Sequence, residues 1–482
     1  MSKKIFISTS IPYVNARPHI GHALEFVQTD AYARYQRLMG NDVFFTTGTD
    51  DNALKNVLKA EEAKEEVSSY VKRHAGFFKD TCDSLDISYD YFIETASDEK
   101  HTQGAQKLWK SAEKKGDIYK KEYEGFYCVG CEEFKTEKDV NEKGECPEHP
   151  GKKLELVQEN NYFFKLSNYQ DTLQKLIESD TLRIAPSSRK NEILSFIKGG
   201  LEDFSISRSM ERAHGWGVPV PGDDSQVMYV WFDALSNYIN ALGYATEDEL
   251  YQKFWHDADE RIHFVGKGIN RFHTIYWPAM LLSAGLELPT TVFVHGYFTT
   301  DGQKMSKSLG NVIDPIDIVE KYGTDAVRYF FLRHQHPYED GDFTLERFHE
   351  AYTANLVNGL GNLVSRVMKL AETHLDGPVE RPLPVGFSDE YTDAFEKYEF
   401  NKALDYVWKK VGDADQRMTD EAPFKVVKTD LGEGKRIISE LVLEVYAVGR
   451  LLNPILPETS KLIKETVLAN KKPETMFPRI EK

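Results

Sequence analysis

The sequence predicts an α/β protein: a parallel sheet built from alternating strands and helices, split by an insertion and followed by an all-helical C-terminal region. Three observations predict it. Short apolar runs alternate with helical stretches over residues 1–115 and again over 226–300. Residues 116–225 break that rhythm with a cluster of cysteines. From about Leu345 onward, Leu, Val and Ile recur at spacings of three and four, the period of one helix face.

Taken in order, Ile5-Phe6-Ile7 is the first strand, and a helix follows from Ala23 to Leu38. Val43-Phe44-Phe45-Thr46-Thr47 is the next strand, and roughly Lys55 to Cys82 reads as helices. Within the insertion, Val157 to Leu166 reads as strand. Arg261-Ile262-His263-Phe264-Val265 and Thr291-Val292-Phe293-Val294-His295 are apolar enough to be buried strands. Asp376-Gly377-Pro378 and Arg381-Pro382-Leu383-Pro384 break the C-terminal helices. The expected divisions are 1–115, the insertion 116–225, 226–295, a linker 296–345 and the helical 346–482.

At 482 residues, several domains with large cores are expected. No apolar stretch approaches membrane-spanning length, and the first strand begins by residue 5, leaving no room for a signal peptide. Four cysteines, three of them clustered, argue against a disulfide scaffold and for a reducing cytoplasm. The net charge of −17 disfavours nucleic acid as a partner. That acidity is uneven: from Glu346 onward, 20 Lys and Arg face 23 Asp and Glu, so this region carries only −3. A local basic face there remains compatible with RNA.

Two distant motifs carry the chemistry. His19-Ile20-Gly21-His22 lies between the first strand and the first helix, which puts two imidazoles and several backbone N–H groups at a helix N-terminus, where anions bind. Lys304-Met305-Ser306-Lys307-Ser308 brings two lysines and two hydroxyls. Together they supply the groups that grip a triphosphate. Gly21 lets a nucleotide base approach the backbone closely. Asp301-Gly302 before the second motif and Gly310 after it suit a segment that closes on a nucleotide. A third signal is Cys128-x2-Cys131, then fourteen residues, then Cys146-x2-His149. Two tight pairs of soft ligands suit one tetrahedral zinc, and with all four positions filled the ion is structural.

These motifs resemble the class I aminoacyl-tRNA synthetases, and among them the methionyl-tRNA synthetase family. The resemblance extends over Ile11-Pro12-Tyr13-Val14-Asn15, Tyr229-Val230-Trp231-Phe232-Asp233-Ala234-Leu235, Phe264-Val265-Gly266-Lys267 and Phe477-Pro478-Arg479-Ile480. It implies a Rossmann-like parallel-sheet catalytic domain split by a zinc-knuckle insertion, then an all-α bundle that reads the anticodon. It implies ATP, L-methionine and tRNA(Met) as partners, with Mg2+ accompanying ATP. ATP then falls to His19, Gly21, His22, His295, Gly296, Lys304, Met305, Ser306, Lys307 and Ser308, with Lys307 stabilising charge on the leaving pyrophosphate. Methionine falls to Ile11, Tyr13, Asp50, Trp231, Ala234, Leu235, Tyr238 and His273. Asp50 matches the family's ammonium-binding carboxylate, and aromatic rings suit a thioether. Asn362 and Arg366, four apart on one helix face, and Pro423-Phe424 match the anticodon contacts.

The chain departs from that pattern in places. Relatives usually read Thr-Asp-Glu-His-Gly where this chain has Thr49-Asp50-Asp51-Asn52-Ala53, and Gly-Lys-Asp where it has Gly266-Lys267-Gly268. Phe424 replaces a tryptophan and so lacks the indole N–H. Arg208 matches a family arginine near the methionine site. Synthetases for isoleucine, leucine or valine usually carry a large editing insertion, and the insertion here, about 110 residues, is too short for one. A cysteine-specific enzyme would expose its zinc to substrate. A non-catalytic RNA-binding module would not need the intact His19, His22, Asp50, Lys304 and Lys307. The sequence ends soon after the helical region, which predicts a monomer, and the lack of a membrane-length apolar stretch predicts no membrane association.

Overall fold

The computed structural model describes residues 2–128, 133–135, 140–141, 143–147, 154–300, 302–304, 312–380 and 386–481, with the backbone alone of 133–135 and of Lys304. The chain forms two compact units. One comprises Met1–Pro18, Asn41–Asp80 and Tyr89–His295; the other comprises His19–Gly40, Thr81–Ser88 and Gly296–Lys482. Among the described residues, no helix is long and apolar enough to cross a membrane.

The first unit is built on a six-stranded sheet in the order Tyr91–Glu94, Asp42–Thr49, Lys4–Thr9, Glu260–Gly266, Thr291–His295, Arg183–Ala185. Every pairing is parallel, with Ile7 opposite both Phe45 and Ile262. The strands Lys4–Thr9 and Thr291–His295 are buried almost throughout. Both faces are therefore covered, and the strands are continuous apolar runs rather than alternating ones. Gly48 is required by close approach, because a Cβ there would overlap the Ile93 carbonyl. The chain leaves Lys4–Thr9 toward one sheet edge and returns at Glu260–Gly266 beside it. Their adjacent carboxyl ends form the switch point where α/β sheets bind ligands.

Two features of this unit were not anticipated. Arg183–Ala185 lies inside the 116–225 insertion yet forms the edge strand of the main sheet, paired with Thr291–Phe293. Three residues are too few to show a period. The insertion also carries a four-stranded antiparallel sheet, in which Ile118–Cys128 pairs along most of its length with Glu155–Phe164, and the helices Gln170–Glu178 and Ser187–Lys198.

In the second unit, the Ile20–Leu38 helix is buried on nearly all sides. Its Tyr35 ring stacks on Phe395 at 4.3 Å, and Tyr32 packs on Tyr398. Burial extends to Asp30, which accepts from Arg34 at 2.7 Å and from Ser88 N and Oγ, and pairs with Arg328 at 2.6 Å. Arg328, on Thr324–Arg333, is itself fully buried and donates to the carbonyls of Leu85, Pro454 and Ile455. From Leu345–Ala351 onward the unit is helical, including Asn362–His374, Phe400–Asp420, Leu431–Leu451 and Pro457–Ala469.

Candidate active site

In the first unit, Asp50 follows the strand Asp42–Thr49, and its N–H donates to the Pro12 carbonyl at 2.9 Å, bridging it to Tyr13 in parallel. The strand end thereby draws the segment carrying Ile11 and Tyr13 alongside the Asp50 carboxylate. Asp50 is buried; its Oδ1 accepts the Asn52 N–H at 3.2 Å and its carbonyl accepts from Asn56 Nδ2 at 2.9 Å. Asp51, also buried, accepts from the Ala96 N–H, and burial pushes its pKa to about 7. The nearby Thr49 hydroxyl and the Ala96 N–H oppose that rise, while Glu94 and Asp233 add to it.

The aromatic wall comes from two short helical segments. Trp231, on Val230–Ala234, stacks on Phe272 at 3.8 Å and meets Tyr13 edge-on at 6.2 Å and His273 edge-on at 6.4 Å. His273 Nδ1 lies 2.9 Å from the Ile269 carbonyl, which can only accept, so the proton sits on Nδ1. Its Nε2 is hydrogen-bonded to the Tyr238 hydroxyl at 2.6 Å. His263 follows the same logic. Its Nε2 accepts from Trp277 Nε1 at 3.2 Å, leaving Nδ1 to donate to Ser8 Oγ at 2.7 Å. Burial, followed by the neighbouring His273, lowers its pKa well below the usual value, so the ring is neutral. Ala234 and Leu235 are buried beside the wall, and His295 ends the strand Thr291–His295. Gly268 is exposed.

Arg208 borders a cavity of about 760 Å3 that also includes Tyr229, Phe204, Tyr276 and Arg271. Its guanidinium donates to Ser205 Oγ and the Ser207 carbonyl and lies over the Tyr229 ring at 4.3 Å.

In the second unit, His19 caps the Ile20–Leu38 helix. Its Nδ1 accepts the Gly21 N–H at 3.0 Å, and His22 Nδ1 accepts the His19 N–H at 3.2 Å. Both rings are therefore Nε2–H tautomers, stacked with centroids 4.0 Å apart. Burial lowers the His19 pKa to about 4. For His22, burial and then the adjacent His19 depress it well below the usual range. Two neutral N–H donors, not two cations, stand at this helix N-terminus. Gly296 permits close approach of the chain at Glu339, whose carbonyl a Cβ would overlap. The hairpin Phe298–Thr300 with Gln303–Lys304 is tied by Asp342, which accepts from Thr299 Oγ1 and Gly302 N at 2.8 Å each. Met305, Ser306, Lys307 and Ser308 lie outside the described residues.

Arg366 and Phe424 come together in a cavity of about 330 Å3 that includes Lys369, Met418 and Lys472. Phe424 is 40% exposed, whereas Pro423 before it is buried. Arg366 pairs with Asp415 at 2.9 Å. Asn362 is exposed one turn earlier on the same helix and does not line that cavity.

Of the four residues expected to hold zinc, Cys128 ends its strand and is buried, as is Cys146. Two buried thiols fit the donor chemistry of a shared soft ion. Cys131 and His149 lie outside the described residues, and the described residues alone contain no group of three metal ligands.

Sequence reasoning missed His263, Phe272 and Lys472. The first two read as ordinary strand and helix residues, and the last sits in a short lysine pair with no pattern around it.

A family model described as "tRNA synthetases class I (M)" matches residues 5–368. The methionine–tRNA ligase of Caldanaerobacter subterraneus subsp. tengcongensis is 42% identical over 480 residues, covering 96% of this chain and 74% of that protein. That of Thermotoga maritima is 40% identical, covering 98% and 76%. The structure of Mycobacterium tuberculosis methionyl-tRNA synthetase in complex with methionyl-adenylate matches with a TM-score of 0.88 at 36% identity, covering 96% of this chain and 93% of that one.

Proposed function

This chain belongs to the methionyl-tRNA synthetases, a family of class I tRNA synthetases, and from that premise we propose how its own residues ligate methionine to tRNA. The methionine carboxylate attacks the α-phosphorus of ATP, the bond to pyrophosphate breaks, and methionyl-adenylate forms. A hydroxyl of the terminal tRNA ribose then attacks the activated carbonyl, and AMP leaves. Little covalent work falls to the protein; holding the reactants and stabilising developing charge dominate.

Asp50 takes the methionine ammonium. Tyr13, Trp231 and His273, with Tyr238 behind and Ile11, Ala234 and Leu235 beside them, enclose the thioether. The observation that carries this assignment is the Tyr13–Asp50 bridge with the Trp231 edge contact, which gathers a buried carboxylate and polarizable rings on one wall. His19 and His22 donate Nε2–H bonds to ATP phosphates, Gly21, His295 and Gly296 admit the nucleotide, and Lys304 and Lys307 counter charge on the departing pyrophosphate. Neutral imidazoles suit this work across physiological pH because they do not titrate there. Magnesium travels with ATP as part of the substrate.

One structural zinc would be held by Cys128, Cys131, Cys146 and His149. Arg366 and Phe424, with Asn362 nearby, read unpaired anticodon bases by stacking and edge hydrogen bonds, while Pro423 sets the turn that presents Phe424. We place the enzyme in the cytoplasm as a monomer.

Amino-acid-dependent ATP–pyrophosphate exchange tests the assignment when run separately with methionine, leucine, isoleucine, valine and cysteine. Exchange with methionine alone is expected. Exchange with another amino acid would overturn the pocket, and exchange with none would overturn the catalytic reading.

A further inference from the structure

The segment Asp50-Asp51-Asn52-Ala53 departs from the family pattern at Asp51, Asn52 and Ala53, and the last two side chains face the same neighbour. The Asn52 backbone N–H donates to Asp50 Oδ1, and its side-chain Nδ2 donates to Asp233 Oδ2, each at 3.2 Å. Asp233 is wholly buried on the Val230–Ala234 helix, between Trp231 and Ala234. Ala53 is wholly buried in a cluster with Tyr229, Val230 and Ala234, against Ile11, Tyr13 and Trp231. One residue therefore hydrogen-bonds both the carboxylate assigned to the ammonium and the helix that presents the thioether wall, and the next residue packs the seam.

Burial raises the Asp233 pKa, and the neighbouring His101 ring and then the Asn52 amide oppose that rise. His101 Nε2 lies 3.9 Å from Asp233 Oδ1, beyond hydrogen-bond range. Both of those atoms are buried without a hydrogen-bond partner among the described residues. The Asn52 amide makes the one hydrogen bond to this carboxylate among the described residues. His101 is in turn fixed by Asn240, whose Nδ2 reaches its carbonyl at 3.2 Å and Ser236 Oγ at 2.7 Å.

We propose that Asn52 and Asp233 are positioning residues for methionine: their bond clips the Asp50 segment to the Trp231 helix and fixes the spacing between ammonium site and thioether wall. The proposal rests on the assignment of Asp50 and Trp231 to methionine. Neither Asn52 nor Asp233 touches the substrate in this account. A neutral amide donor is essential at position 52, because a carboxylate there would face Asp233 across the same gap.

The test is steady-state ATP–pyrophosphate exchange on the full chain with Asn52→Ala, Asn52→Asp and Asn52→Gln, alongside thermal midpoints. Asn52→Ala is expected to raise KM for methionine about tenfold, with KM for ATP and kcat within about twofold of wild type, since the loss is one of geometry at one substrate. Asn52→Asp is expected to raise it further, and Asn52→Gln, which keeps the amide, to recover part of the loss. An unchanged KM for methionine in Asn52→Ala overturns the proposal. So does a parallel loss in both KM values and kcat that tracks a fall in thermal midpoint, which would mark a merely structural bond. Wild-type chain that shows no methionine-dependent exchange fails at the pocket assignment itself and removes the proposal with it.

Discussion

Two buried carboxylates, one in each unit, are treated in opposite ways. Burial pushes the Asp30 pKa up, but the Arg328 and Arg34 charges and the Ser88 hydrogen bonds outweigh it, and the net shift is downward. Asp51 has no cation among the described residues to offset its burial, and its pKa rises to about 7. The first carboxylate is ionised and fully engaged, tying the Ile20–Leu38 helix through Arg328 to three carbonyls of its own unit. The second stands beside Asp50 with its Oδ1 buried and unbonded among the described residues. A satisfied network serves architecture, whereas an under-satisfied one carries a cost in stability.

The largest effect that sharpens this contrast is at Arg328. Arg328→Met leaves the buried Asp30 charge to Arg34 and Ser88 alone, empties three carbonyls of their donor, and should destabilise the second unit by about 3 kcal/mol, read from urea denaturation. Adding Asp30→Asn should return part of it, because part of the cost lies in a buried ion that has lost one of its two cations. A loss no larger than that of an exposed ion pair would break the comparison.

Asp51→Asn should act with the opposite sign and depend on pH. Well below pH 4 the Asp51 carboxyl is protonated in both folded and unfolded chains, and its burial costs no charge. As pH rises toward 7 the unfolded chain ionises while the folded one holds its proton, so wild type loses stability through that window and keeps the deficit above it. The asparagine variant should be more stable than wild type by on the order of 3 kcal/mol at pH 8. The gap should shrink toward pH 4, as measured by denaturation at each pH.

Smaller effects are expected at the exposed end of the second unit. Phe424→Ala should weaken tRNA binding by about 2 kcal/mol if the ring stacks on a base. Lys472→Ala should lower affinity only several-fold and reduce the slope of log affinity against log salt by about 1, as one lost phosphate contact does.

Much of the sheet was legible because strands buried on both faces are continuous apolar runs, as Ile5-Phe6-Ile7 and Thr291 to His295 are. Arg183–Ala185 was not, since its place is fixed by pairing to a strand more than a hundred residues away. In the candidate site, Asp50, Trp231, Tyr238 and His273 stood out by motif. The tautomers of His19, His22 and His273 could not, because each depends on a backbone group brought up by folding. Asn52 was visible as a departure, yet its partner lies 181 residues on. Phe272 reads as core until it is seen stacked on Trp231.

The most direct test of the account is charging of tRNA by the purified full chain supplied with ATP, Mg2+ and methionine, using tRNA(Met) and the same tRNA with an altered anticodon. The account predicts methionyl-tRNA from the first and a strong loss of charging from the second. Failure to form methionyl-tRNA, or equal charging of both, would contradict it.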